Sequence, residues 1–283
     1  MARTRLPVAW DVNELETLQY RRLYRWDPSI SNALRAGIWN VLERWASRRS
    51  TVIVAISAAE ARACEHLLPA ARGRVRVVLH RVPFPASRRS EDFTAASLST
   101  FSSGAAPRLV FVGNLAAKHN RRAAQWILDE LAPRASGRFE ILFVGPGSDT
   151  LCIGERLEGS VARLGVVDDL SQVISPTDIG IAPLAAGAGV KTKMLDYLSL
   201  GCRIVATPAA LEGLEGCPGV AVSPLDGFVA TVSALASASE STAALCQRVQ
   251  SQHRWLATYT SPDDARSAWR AIVGELGLSQ SSS

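Results

Sequence analysis

The stretch DIGIAPLAAGAGVKTKMLDYLSLGCRIVATP (178–208) decides the fold. It opens on DIGIAPL (178–184), a short run that is apolar on both faces, and passes through a turn containing Gly187 and Gly189. VKTKMLDYLSL (190–200) then sets Met194, Leu195 and Leu198 on one side at helical spacing, and CRIVATP (202–208) is apolar throughout again. Strands with no polar alternation are covered on both faces. Alternating with amphipathic helices, they imply a parallel sheet.

The same alternation continues in both directions. Upstream, RLVFVG (108–113) is followed by the helical pattern RRAAQWILDELAP (121–133), FEILFVG (139–145), VARLGVV (161–167) and a short helix over 169–174. Downstream, GVAVSP (219–224) precedes the helix LDGFVATVSALAS (225–237). Six such strands complete a Rossmann-like, doubly wound α/β domain, expected over 108–260. SPDDARSAWRAIVGELG (261–277) offers Ser261 as N-cap, Pro262 at the first helical position and Asp263 and Asp264 in the first turn. A C-terminal helix over 261–278 is therefore expected, with SQSSS (279–283) as a disordered tail.

SRRSEDFTAASLSTFSSGAAP (87–107) has no apolar period and reads as a linker. Before it, residues 1–86 hold three strand-like runs, PVAW (7–10), TVIVAIS (51–57) and RVRVVLH (74–80). Helical segments around 14–25 and 31–47 separate the first two, with Leu34, Ile38, Val41, Leu42 and Trp45 on one face. Trp39 and Trp45 are expected in the core and the neighbouring arginines in solvent; the other reading of Trp26, Trp39 and Trp45 among arginines is a membrane-surface patch. Three strands are about half of a doubly wound domain, so this region is expected to be a partial Rossmann-like domain.

Bulk properties exclude several classes. With 47% hydrophobic and 20% charged residues the chain is globular, and its longest apolar runs fall short of the ~20 residues that cross a bilayer. The N-terminus has no apolar core of a secretory signal. The five cysteines form no CxxC pair and the four histidines show no ligand spacing, which fits a reducing cytoplasm and offers no metal site. The net charge of +5 is spread in small arginine knots with no accompanying motif, so no nucleic-acid partner is read from it.

In a doubly wound sheet ligands sit beyond the carboxyl ends of the strands, where helix N-termini present free N–H groups. Three turns there are suggestive: GNLAAKHN (113–120), GPGSD (145–149) and GAGVKTK (187–193). The last has neither the spacing of a P-loop nor the third glycine of a dinucleotide fingerprint. Gly187 and Gly189 let backbone approach a ligand, and the amides of Val190, Lys191 and Thr192 would face an anion at a helix start near Val190. Lys193 and Asp196 share a helix face about 4.5 Å apart along the axis. A cation near a helix N-terminus is locally unfavourable, so Lys193 makes sense beneath a diphosphate, with Asp196 accepting from ribose hydroxyls. The competing reading is a surface ion pair. GNLAAKHN adds Lys118 and Asn120 at a second strand end. Two lysines could converge on one diphosphate, although an exposed loop lysine remains the simpler reading of Lys118.

Taken together, FVGNLAAKHNRRAAQWILDELAP, ILFVGPG, LGVVDDL and DIGIAPLAAGAGVKTKMLDYLSLGCRIVATPAALEGL resemble the donor-binding half of GT-B glycosyltransferases of retaining family 4, the group 1 transferases, over about 107–260. The family's Gly–x–Gly–x–Lys–x–Lys–x–x–acid variant falls on Gly187, Gly189, Lys191, Lys193 and Asp196. The resemblance implies metal-independent, cofactor-free transfer from a UDP- or GDP-linked sugar with retention. Lys118 and Lys193 would neutralise the leaving diphosphate and Asp196 would hold the ribose. Gly113, Asn114 and Asn120 would line the site, and Gly145 with Val166 and Val167 would border the base. The family's first glutamate falls at Ala188, and its second is shortened to Asp196. DVNELE (11–16) resembles the family's Asp–x–His–Asn–x–Glu, with Asn13 for the histidine and Glu14 for the asparagine. About a hundred preceding residues of an acceptor domain have no counterpart, so a truncated acceptor side is expected. The implied acceptor is a glycan or lipid-linked sugar for polysaccharide or cell-envelope synthesis, with peripheral contact at the inner membrane's cytoplasmic face. The alternatives are an inactive nucleotide-sugar-binding remnant or interaction module and, more distantly, a sugar-nucleotide epimerase.

Overall fold

The computed structural model describes residues 6–79, 107–135, 138–185, 189–259 and 261–278. Its short apolar runs form two parallel sheets. The smaller has β1 (Ala9–Val12), β2 (Val52–Ala55) and β3 (Val75–Val77) side by side, with Ala9 opposite Val52 and Ile53 opposite Val75. The larger has β4 (Leu109–Val112), β5 (Ile141–Val144), β6 (Val161–Arg163), β7 (Ile179–Ala182), β8 (Arg203–Ala206) and β9 (Val220–Val222), in the order β6-β5-β4-β7-β8-β9. That is the doubly wound order, with the direction of winding reversing between β4 and β7. β2, β5 and β7 are buried at every position, as their unbroken apolar runs require.

Eight labelled helices cover these sheets: α1 (Glu16–Trp26), α2 (Ile30–Arg49), α3 (Ala58–Leu67), α4 (Lys118–Trp126), α5 (Thr192–Ser199), α6 (Leu225–Ser237), α7 (Thr242–Tyr259) and α8 (Pro262–Glu275). After α4 the chain makes a π-helical turn, Ile127–Leu131, and one more α turn. Ser261 caps α8 by accepting from the Asp264 amide, as its sequence position predicts. α5 starts at Thr192, two residues later than the glycine turn suggested. The expected linker, apart from Pro107, and the tail 279–283 lie outside the described residues.

Three helices depart from the sequence reading. α3 and α7 carry no strong apolar period, because α3 is alanine-rich and α7 buries Gln252 and His253 beside Leu245, Val249 and Leu256. Those polar groups are used: Gln252 Nε2 donates to the Cys202 carbonyl at 2.8 Å, and His253 Nε2 lies 3.0 Å from the Ser199 carbonyl. α2 is turned opposite to expectation. It buries Asn32, Glu43 and Ser47, while Leu34, Ile38, Val41, Leu42 and Trp45 are exposed, Trp45 by 57% and Trp39 by 37%. Trp39 and Trp45 are therefore not core residues. The buried polar face is held by partners, with Asn32 Nδ2 donating to the Asp27 carbonyl and Glu43 accepting from the Thr17 amide.

One contact shapes the crevice between β4 and β7. The strands pair only at Leu109–Ile179 and Val110–Gly180. Beyond that the buried Tyr197 hydroxyl enters, accepting from the Val112 amide and donating to the Val110 carbonyl, both at 2.9 Å. Gly180 makes room for the ring, since a Cβ there would stand 2.5 Å from Tyr197 Cγ. The two strands thus part at their carboxyl ends, where the winding reverses.

Candidate functional site

From the parted strands, β4 runs into the Gly113–Asn120 turn and β7 into the glycine turn before α5. Lys193, on the first turn of α5, points back into the gap and is 6% exposed. Its Nζ donates to Asn120 Oδ1 at 2.7 Å and lies 3.9 Å from the Phe111 ring centroid. Asn120 Nδ2 donates in turn to the Asn114 carbonyl at 3.0 Å. Gly113 is small because a Cβ would sit 3.1 Å from both Lys193 Nζ and Asn120 Cγ. Burial, and then the neighbouring Lys191, push the Lys193 amine down to about 7, opposed by Asp196. Burial pushes Asp196 up to about 6 against the pull of Lys193. So Lys193 and Asp196 share one helix face as predicted, with Lys193 interior and Asp196 half-buried rather than the two forming a surface bridge.

Lys191 is the N-cap of α5, with its Nζ donating to the Gly189 carbonyl at 2.8 Å. Burial brings it down to about 8, although Glu14, Glu212 and Glu60 hold it up. Val190 is buried and Thr192 is exposed at the helix start. Gly145, at φ +119°, is pressed against the first turn, where a Cβ would meet the Gly113 carbonyl at 2.5 Å. Its amide donates to the Gly165 carbonyl, which brings the exposed Val166 and half-buried Val167 beside it. Gly187 and Ala188 lie outside the described residues.

Lys118 is placed elsewhere. Its amine donates to Asn32 Oδ1 at 3.0 Å and lies 3.6 Å from Asp27, which also binds Arg122. The lysine whose charge reaches Lys193 is Lys191. A carboxylate and an amide side chain from the first domain give Lys118 its partners, so the expected convergence of Lys118 with Lys193 is not what the structure shows.

Several contacts of the site were not legible in the sequence because they pair residues across the domain boundary. Glu60, 3% exposed, accepts from the Leu15 amide at 2.7 Å and, across the domain boundary, from the Gly189 amide at 3.1 Å. Arg22 pairs with Glu212. His119 is held down to about 4 by burial and then by Lys191 and Lys193, with its Nδ1 3.5 Å from Gln19 Nε2. A cavity of about 550 Å³ lined by Arg22, Arg25, Trp26, Ala185, Glu212 and Glu215 runs along the same boundary. Among the described residues no cluster of His, Cys, Asp or Glu could hold a metal ion, and no helix is long and apolar enough to cross a membrane. Two interior amines at a helix start, with a carboxylate one turn further in, suit a ligand carrying phosphate and hydroxyl groups in sequence.

Residues 106–240 match the model of the family described as glycosyl transferases group 1. Among solved structures, the chain is similar to Anabaena HepE in complex with UDP at 14% identity, covering 96% of this chain and 72% of that one with a TM-score of 0.62. A sucrose-phosphate synthase from Thermosynechococcus elongatus is similar at 12% identity, over 95% of this chain and 67% of that one, with a TM-score of 0.67. WaaG, a glycosyltransferase involved in lipopolysaccharide biosynthesis, is similar at 12% identity over 96% and 76%, with a TM-score of 0.62. At such identities the likeness is one of fold. No curated protein sequence matches the chain. The family match falls on the larger sheet and its helices, and the likeness to the solved glycosyltransferase structures is that of a GT-B-like α/β fold.

Proposed function

We propose that the chain transfers a sugar from a UDP- or GDP-linked donor to a glycan or lipid-linked acceptor, with retention and without a metal, in polysaccharide or cell-envelope glycan synthesis. One observation carries the reading: the Lys193 amine is interior and its hydrogen-bond and ring partners, Asn120 and Phe111, are neutral. An amine stripped of water and held this way binds a diphosphate strongly, because the anion restores the interaction that burial removed. As the bond from the anomeric carbon to the phosphate oxygen breaks, charge gathers on the leaving diphosphate. Lys193 and Lys191 stabilise it without reorganising. Asp196 accepts from the ribose, and the Gly145 and Val166–Val167 turns border the base. Lys191 takes the role the sequence assigned to Lys118. The UDP bound by HepE and the lipopolysaccharide role of WaaG agree with this reading. The exposed apolar face of α2, set among arginines, supports peripheral contact with the cytoplasmic face of a membrane.

Calorimetric titration of UDP and GDP tests the donor site. One of them binds the wild-type chain, and Lys193→Ala and Asp196→Ala each weaken it by about ten- to a hundredfold, the worth of a charge-assisted hydrogen bond. Product NMR with the matching nucleotide sugar and an acceptor then shows the donor's anomeric configuration retained. Silence of both substitutions, or no affinity for either nucleotide, defeats the assignment. Binding without turnover marks a nucleotide-sugar-binding module instead.

A further inference from the structure

α3 opens on Ser57, Ala58, Ala59 and Glu60, the spacing of a capping box. In such a box the N-cap hydroxyl accepts from the third helical amide, and the acid at that third position reaches back to the N-cap amide. Only the first half is made here, with the Glu60 amide donating to Ser57 Oγ at 3.0 Å. Ser57 is 1% exposed, and among the described residues its amide has no hydrogen-bond partner. The Glu60 carboxylate is turned away from it. One oxygen accepts from the Leu15 amide at 2.7 Å and the other, across the domain boundary, from the Gly189 amide at 3.1 Å.

The place that Glu60 reaches is built for an anion. Gly189, at φ +68°, offers its amide two residues before Lys191, the N-cap of α5, and Lys191 Nζ is bonded to the Gly189 carbonyl. Lys191 is buried, with Glu60 among the carboxylates whose charge acts on it. An amide of a glycine turn beside an interior cation suits a phosphate oxygen, and a carboxylate of the protein holds it instead. On the donor-site reading the diphosphate arrives at Lys193, Lys191 and the amides next to Gly189. Like charges so close in a site with little water repel strongly, so the two anions exclude one another. The unmade half of the capping box gives Glu60 a second position. Rotation of its side chain takes the carboxylate from Gly189 to the Ser57 amide, within its own helix turn.

We infer that Glu60 is a two-position switch: it competes with the donor's diphosphate for the anion seat of the glycine turn, and once displaced it closes on the Ser57 amide and releases the bridge between the domains. The inference rests on the donor-site reading. The test titrates the full chain with UDP, GDP and pyrophosphate, in wild type and in Glu60→Gln, which keeps the size of the side chain and removes its charge. For pyrophosphate and the nucleotide that binds, Glu60→Gln tightens affinity about tenfold. Unchanged or weaker binding by a variant whose urea midpoint shows it folded makes Glu60 a brace between the domains and overturns the inference. The second readout needs no variant. Amide exchange of the wild-type chain, followed by NMR with and without saturating pyrophosphate, slows about tenfold at Ser57 as Glu60 arrives there. Unchanged exchange at Ser57 overturns the switch even where Glu60→Gln binds more tightly, since the gain is then a through-space effect of charge. A wild-type chain that binds none of UDP, GDP and pyrophosphate overturns the donor site itself, and this inference with it.

Discussion

With the donor placed as proposed, Lys193 and Asp196 would make nucleotide binding a titrating event. Burial pushes the Lys193 amine down to about 7, and a diphosphate beside it would raise it. Affinity is then greatest while the amine is protonated, and falls by up to about tenfold per unit as pH rises through 7, because binding must take up the proton. Asp196, at about 6, loses acceptor capacity as pH falls below that value. Affinity plotted against pH is therefore bell-shaped with its summit between about 6 and 7. His119, held near 4, is neutral across this range and adds no step. Lys193→Arg, which stays charged, flattens the alkaline limb. Titration of the bound nucleotide from pH 5 to 9 checks both limbs, and a flat profile removes Lys193 from the diphosphate.

At the scale of elements, the Tyr197 hydroxyl joins α5 to the parted strands. Tyr197→Phe keeps the ring in the space Gly180 leaves and removes the partner of the Val112 amide and the Val110 carbonyl. Leaving such groups unmet costs about 1–3 kcal/mol, seen as a lower urea midpoint at unchanged slope. A midpoint equal to that of the wild type would show that the strands close over the gap. The larger sheet was legible in the sequence because both faces of its strands are buried, which leaves runs such as LVFV and ILFV without polar interruption. α2 was misjudged for a physical reason: periodicity shows that a helix has two faces, and only tertiary contacts decide which one turns inward. The candidate site was half legible. Lys193, Asp196, Asn120 and Gly145 follow their own strands, so strand–turn–helix logic finds them. Glu60 meets Gly189 across 129 positions, and no local pattern carries that pairing.

At the scale of the molecule, two surfaces matter. Ile38 (58% exposed), Val41 (67%) and Trp45 (57%) stand beside Arg35, Arg44, Arg48 and Arg49 on α2. Apolar side chains framed by cations partition onto anionic bilayers and release in salt. The chain is expected to sediment with phosphatidylglycerol vesicles and not with phosphatidylcholine vesicles. Ile38→Asp with Trp45→Ser should abolish it, and equal recovery with both lipids would refute an electrostatic membrane contact. The second surface is the boundary between the domains, bridged by Arg22–Glu212, by Lys118 and Arg122 at Asp27, and by Glu60 at Gly189. Lys191 and Lys193 lie beneath it, both buried.

α8 joins the two domains a second time. It packs Ile272 against Val52 and Val54 of the smaller sheet and against Val78 just after β3, with Glu275 on Arg76. The polypeptide thus passes between the domains twice, once between β3 and β4 and once between α7 and α8. A single tether would let one body tumble about the other. Here α8 carries the chain back onto the smaller sheet, so the first domain is completed by residues that follow the second in sequence, and a chain ending at α7 would leave Val52, Val54 and Val78 uncovered.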